Sequence, residues 1–177
     1  KSLVEKQWLD VLKKNYPQKA DKFETYGIEK YHLFSHEIDH HNLWSRAVRT
    51  PTAETVKEIK QMSVFSTLYQ EFGDFQFTDE FHLGNEEMSW RLVRPNEIND
   101  VNIAHADVWF KDMNDWETPK DTTRVNLWVP LICDKEKNGL QVVPGSHLQP
   151  KNYPYHFVGR TDVRGTKMPE SNFADNE

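Results

Sequence analysis

Apolar residues in the first half of the chain recur at the spacing of a helix. Leu3, Trp8, Leu9, Val11 and Leu12 fall on one helical face, and Tyr16-Pro17 closes the segment because the residue before a proline avoids the α region. A second helix is marked at both ends. Thr50 offers a cap, Pro51 stands at the first helical position where its missing N–H costs nothing, and Glu54 lies in the first turn. Val56, Ile59, Met62, Phe65, Leu68 and Phe72 continue the helical spacing to Gly73, which stops the run.

From about residue 85 the period changes. Met88, Trp90 and Leu92 alternate with Ser89, Arg91 and Val93, which is the spacing of a strand. Three more strand-like runs follow at 101–110, 122–133 and 140–143, and Asn138-Gly139 before the last is a strong hairpin signal. Helices followed by short strands predict an α+β protein, an antiparallel sheet structure preceded by a helical segment. The expected organisation is a single domain in which 1–84 forms a helical part packed on the core and 85–177 begins the sheet. Residues 149–177 form a long polar loop punctuated by Pro150, Pro154, Gly159, Gly165 and Pro169. No closing strand precedes Glu177, so the expectation is a chain truncated before its domain ends. It starts at Lys1, which leaves a removed targeting segment open.

Composition narrows the function classes. A chain of 177 residues that is 37% hydrophobic holds one domain with a real core. Its net charge of −6 is spread through mixed Lys, Arg, Asp and Glu, leaving no basic field for a phosphate backbone, so nucleic acid is not expected as a partner. No apolar run approaches the length of about 20 residues that crosses a bilayer, so no membrane is expected either. Cys133 is alone, which rules out an intramolecular disulfide or a Cys-x-x-Cys site and points to a reducing, cytoplasmic setting.

Two patterns carry metal chemistry. In an extended segment residues i and i+2 share a face, so His105-Ala106-Asp107 presents an imidazole and a carboxylate together, about 7 Å apart at the backbone. One nitrogen and one oxygen donor from a single strand, completed by a distant histidine, is the facial arrangement of non-haem Fe(II) oxygenases. On spacing alone the same pair also reads as a hydrogen-bonded surface pair. The rival is His36-Glu37-Ile38-Asp39-His40, which matches the helical motif of zinc hydrolases, two histidines one turn apart with a glutamate to activate water. Asp39 and His41 make this stretch polar, whereas a zinc-bearing helix is backed by apolar packing, so a solvated helix end is the plainer reading.

The order of motifs after Arg94 adds a family context. Arg124-Val125-Asn126-Leu127-Trp128-Val129-Pro130-Leu131 is followed by Asn138-Gly139-Leu140-Gln141-Val142-Val143-Pro144-Gly145-Ser146-His147. With His105-x-Asp107 ahead of it, this series resembles the phytanoyl-CoA dioxygenase family of Fe(II)- and 2-oxoglutarate-dependent oxygenases over residues 94–147, roughly a third of the chain. The resemblance implies a double-stranded β-helix core of the jelly-roll or cupin kind, with iron near one mouth of the barrel and 2-oxoglutarate and O2 as co-substrates. It makes His105 and Asp107 metal ligands.

The same resemblance sets Trp128 beside 2-oxoglutarate, with Asn126 two residues away on the same face as a hydrogen-bond donor; a core tryptophan is the alternative. Arg94, before Pro95, is a candidate clamp for a carboxylate, or else an exposed arginine at a strand end. Arg91 and His147 are candidates for substrate contact. In the family the distal iron-binding histidine comes later than the Pro-Gly-Ser-His histidine, in a strand followed by an arginine. The sequence departs from that pattern, since only His156, with Arg160 and Arg164, imitates it. The third ligand is therefore expected beyond Glu177, with His147 and His156 as weaker substitutes inside the chain. No catalytic residue is expected apart from the metal centre. The expected function is hydroxylation of a small organic substrate with succinate and carbon dioxide as co-products; a non-catalytic jelly-roll binding module and the zinc hydrolase are the alternatives. Substrate and oligomeric state are not legible.

Overall fold

The computed structural model describes residues 1–79, 84–101, 105–106, 121–134 and 139–148, and the backbone of 155–161 and 167–171. The chain divides into two compact units, Lys1–Glu97 and Ile98–Glu177.

The first unit is helical. Helix α1, Ser2–Asn15, buries Trp8 and Leu12, and ends where Tyr16 takes φ −136° before Pro17. A 3-10 turn, Pro17–Lys19, leads into α2, Ala20–Tyr26, which buries Phe23. Gly27 then adopts φ 66° and ψ 177°, a combination open essentially to glycine alone, and redirects the chain into the 3-10 helix Ile28–Leu33. After a further 3-10 turn at Ser35–Glu37 comes the single helical turn α3, His40–Leu43, capped by the Asp39 carboxylate, which accepts from the Asn42 amide at 3.3 Å. The core is an aromatic cluster. Trp8 meets Phe23 and Tyr31 edge-on, Tyr31 meets Phe34 and Trp44, and Trp44 meets Trp90 with ring centres 5.3 Å apart.

The second expected helix forms with two differences. Thr52, not Thr50, is the cap, accepting from the Thr55 amide at 3.3 Å, because the Thr50 hydroxyl donates back to the Arg46 carbonyl at 2.9 Å. The run also breaks into α4, Ala53–Lys60, and α5, Ser66–Phe72, with Met62 extended between them. The break lets Phe65 turn into a small ring cluster with Phe75 and Phe77, which Lys60 covers while pairing with Glu86 at 2.5 Å. Gly73, at φ 73°, ends α5 as expected.

The alternating segment 88–92 is extended, with Met88, Trp90 and Leu92 turned inward and Ser89 and Arg91 outward. Its cover is the helical core rather than a sheet. Trp90 Nε1 donates to Gln7 Oε1 at 2.9 Å, the Trp90 amide donates to the Arg49 carbonyl at 3.2 Å, and Arg49 Nη1 donates to the Trp90 carbonyl at 2.5 Å.

The expected jelly-roll, or double-stranded β-helix, is not what the described residues form. They are mostly helical, and their one sheet is a two-stranded antiparallel hairpin, β1 (Tyr155–Thr161) against β2 (Lys167–Ser171). Among the described residues no barrel is present, and the runs at 122–133 and 140–143 pass without ladder partners. Alternation reports which side chains share a face; it does not supply the neighbouring strand that makes a sheet. Most of 101–110 lies outside the described residues. No helix among the described residues is long and apolar enough to cross a membrane.

Candidate functional site

The candidate metal pair sits at an edge of what the structure describes. His105 is half-buried in the second unit and Asp107 lies outside the described residues. Among the described residues no group of three His, Cys, Asp or Glu side chains is gathered closely enough to hold a metal ion. The donor chemistry of His105 and Asp107 suits ferrous iron, but the described residues alone do not supply a complete ligand set.

The other expected site residues are dispersed. Asn126 is exposed, and so is Trp128 at 49%. His147 is exposed on the 3-10 turn Ser146–Leu148, where Gly145 at φ 77° makes the turn after Pro144. His156 lies on β1, in register with Glu170 of β2. Arg94 belongs to the first unit. Its side chain is only 11% exposed and approaches Glu97 at 3.9 Å, so it is not the exposed arginine of the plainer reading. Arg91 is exposed in the same unit.

The rival zinc motif is taken apart by the backbone. His36 and Glu37 close one 3-10 turn, Ile38 is extended at φ −133° and ψ 140°, and His40 opens α3, so the two imidazoles do not share a helical face. His36 projects into solvent, its side chain 74% exposed. Glu37 is held by Lys22 and by Lys19 at 3.0 Å, and these two ammonium groups lower its carboxyl from 4.5 to about 2. A carboxylate so strongly held in its ionised form is a poor proton acceptor. His40 is not the solvated helix end that its polar neighbours suggested; it is buried, with Nδ1 2.9 Å from the Tyr31 hydroxyl, which also accepts from Trp44 Nε1 at 3.0 Å. The Tyr31 hydroxyl joins the Trp44 indole and the His40 imidazole in one buried polar contact. The motif is thus a structural hub in the core, and the signal that it would be was the aromatic pair Tyr31 and Trp44 on either side of it.

Two consequences can be measured. Tyr31→Phe removes both buried hydrogen bonds while keeping the ring, and should destabilise the first unit by about 2 kcal/mol in urea unfolding; an unchanged midpoint would contradict the hub. Glu37 stabilises the fold fully above its unfolded value of 4.5 and progressively less as pH falls toward about 2. The stability difference between wild type and Glu37→Gln should therefore shrink across that interval, and a difference constant with pH would refute the Lys22 and Lys19 pairing.

The chain matches no family model, no curated protein and no solved structure.

Proposed function

We propose that the chain belongs to an Fe(II)- and 2-oxoglutarate-dependent oxygenase that hydroxylates a small organic substrate in the cytoplasm. The observation that carries the reading is the ordered series His105-x-Asp107, Asn126-Leu127-Trp128, Asn138-Gly139 and Pro144-Gly145-Ser146-His147. A single element of the series has little specificity; four in order have much more. The jelly-roll core is no part of this proposal.

Iron with bound 2-oxoglutarate supplies the oxidising chemistry, drawing on O2 and leaving succinate and carbon dioxide. The chain's share is placement. His105 and Asp107 would hold the metal, and Trp128 and Asn126 would offer a stacking face and a hydrogen bond to the keto acid, with His147 contacting the substrate.

The test is release of succinate from 2-oxoglutarate by the full-length protein supplied with Fe(II) and O2, with the metal withheld as control. Metal-dependent succinate is the expected result. A chain that binds 2-oxoglutarate without consuming it would be a binding module, and the oxygenase reading would fail.

A further inference from the structure

We propose that helix α5 of the first unit is a docking site for a short, basic, amphipathic helix of a partner protein. Val64, Leu68 and Phe72 follow one another at intervals of four residues. The backbone stays right-handed helical from the Ser63–Phe65 turn through α5, so the three share one face along about 12 Å. Val64 is 57% and Phe72 61% exposed, and Leu68 between them is half-buried. Tyr69 widens the stripe toward the ring cluster, its ring centre 4.6 Å from that of Phe75. Ser66, Thr67 and Gln70 take the opposite face. The helix is therefore amphipathic, with the Phe65 edge of its apolar side packed against Phe75 and Phe77 and the edge from Val64 to Phe72 open.

Charge selects the occupant. From Gln61 to Glu87 the chain holds no Lys or Arg against six Asp and Glu, and Lys60, just ahead, is committed to Glu86 and to the rings of Phe75 and Phe77. Glu71 borders the stripe beside Val64 on the helix, and Asp74 lies two residues past Phe72; both are exposed. A tract of one sign repels anionic membranes and nucleic acid, and a two-fold contact with a second copy would bring two such tracts together. A cationic partner is attracted instead. The open apolar surface is roughly 300–400 Å2, the size of the largest patch on an ordinary monomer and under half of what one side gives to a standard interface, so the occupant is a short segment rather than a globular face. Two turns of a helix, with apolar residues at i and i+4 laid along Val64, Leu68 and Phe72 and lysine or arginine beside them, satisfy both the stripe and the carboxylates. This inference does not depend on the oxygenase reading, because no metal or cosubstrate enters it.

Fluorescence anisotropy of a labelled peptide titrated with the full-length protein tests it. The probe is a synthetic helix of about 18 residues with leucine at i, i+4 spacing on one face and lysine on the other. Saturable one-to-one binding is expected, weakened at least about 10-fold by Val64→Ser with Phe72→Ser and to a similar degree by Glu71→Lys with Asp74→Lys. Leu33→Ser changes an equally exposed apolar side chain elsewhere in the first unit and should leave binding unchanged. The same peptide with glutamate in place of each lysine should not bind. Every substituted position is exposed, so the variants should unfold in urea at the wild-type midpoint. No binding by the wild type, equal binding of the acidic peptide, indifference to both double variants, or an equal loss in Leu33→Ser would each overturn the proposal. Self-association abolished by Val64→Ser with Phe72→Ser, or flotation with phosphatidylserine vesicles, would assign the stripe to another occupant and overturn it as well.

Discussion

Replacing Trp90 by alanine should cost the first unit about 3–5 kcal/mol. Trp90 is buried, its ring packs edge-on against Trp44 at 5.3 Å, and its indole N–H reaches across to Gln7 on α1 at 2.9 Å. Gln7 in turn donates to the Val48 and Thr50 carbonyls at 2.8 and 3.2 Å. One side chain therefore ties three stretches that are distant in sequence: α1, the 44–50 connection and the extended 88–92 segment. Truncation leaves a cavity beside Trp44 and takes the indole donor from Gln7, so the packing and polar losses add. Thermal unfolding followed by circular dichroism should show a midpoint lowered by more than about 10 °C. A shift within about 2 °C would mean that the 88–92 segment lies on the helical core without stabilising it.

The second large effect concerns chemistry. His105→Ala should lower iron-dependent consumption of 2-oxoglutarate by more than about 100-fold, because one of the proposed protein ligands is removed. His36→Ala should leave that activity intact, since His36 projects into solvent from a turn separate from His40. The zinc-hydrolase reading predicts instead tight Zn2+ binding that is abolished by His36→Ala and untouched by His105→Ala. The two variants thus separate the motifs, and an active His105→Ala protein would remove the basis of the oxygenase proposal.

What could be read in the sequence differs from element to element. The C-terminal end of α1 and the stop at Gly73 were legible because proline and glycine act locally, through their own dihedral limits. The cap of α4 was misplaced by two residues because Thr50 and Thr52 are equivalent on chemistry, and only the fold decides that Thr50 bonds to Arg46. The break between α4 and α5 was hidden because the apolar spacing from Val56 to Phe72 stays helical across it, while its cause, the seat for Phe65 among Phe75 and Phe77, is tertiary.

At 88–92 the alternation correctly named the buried face, Met88, Trp90 and Leu92, and failed on what covers it. A period of two is a statement about one chain's backbone; a sheet requires a second. Around the candidate sites the same limit applies. Spacing proposed a zinc helix at 36–40, and the extended backbone of Ile38 undoes it. Spacing proposed a shared face for His105 and Asp107, a pair of which His105 alone lies among the described residues. Roles for Asn126, Trp128 and Arg94 came from motif order, which carries chemistry without geometry.

Anaerobic titration of the full-length protein with ferrous ion in the presence of 2-oxoglutarate probes the proposed pair most directly. It is followed by the visible charge-transfer absorption that a chelated 2-oxo acid gives on ferrous iron. A single saturable step is predicted for the wild type, and its loss is predicted in both His105→Ala and Asp107→Ala. No absorption in the wild type, or absorption that survives both substitutions, would contradict the assignment of His105 and Asp107 as partners at one iron.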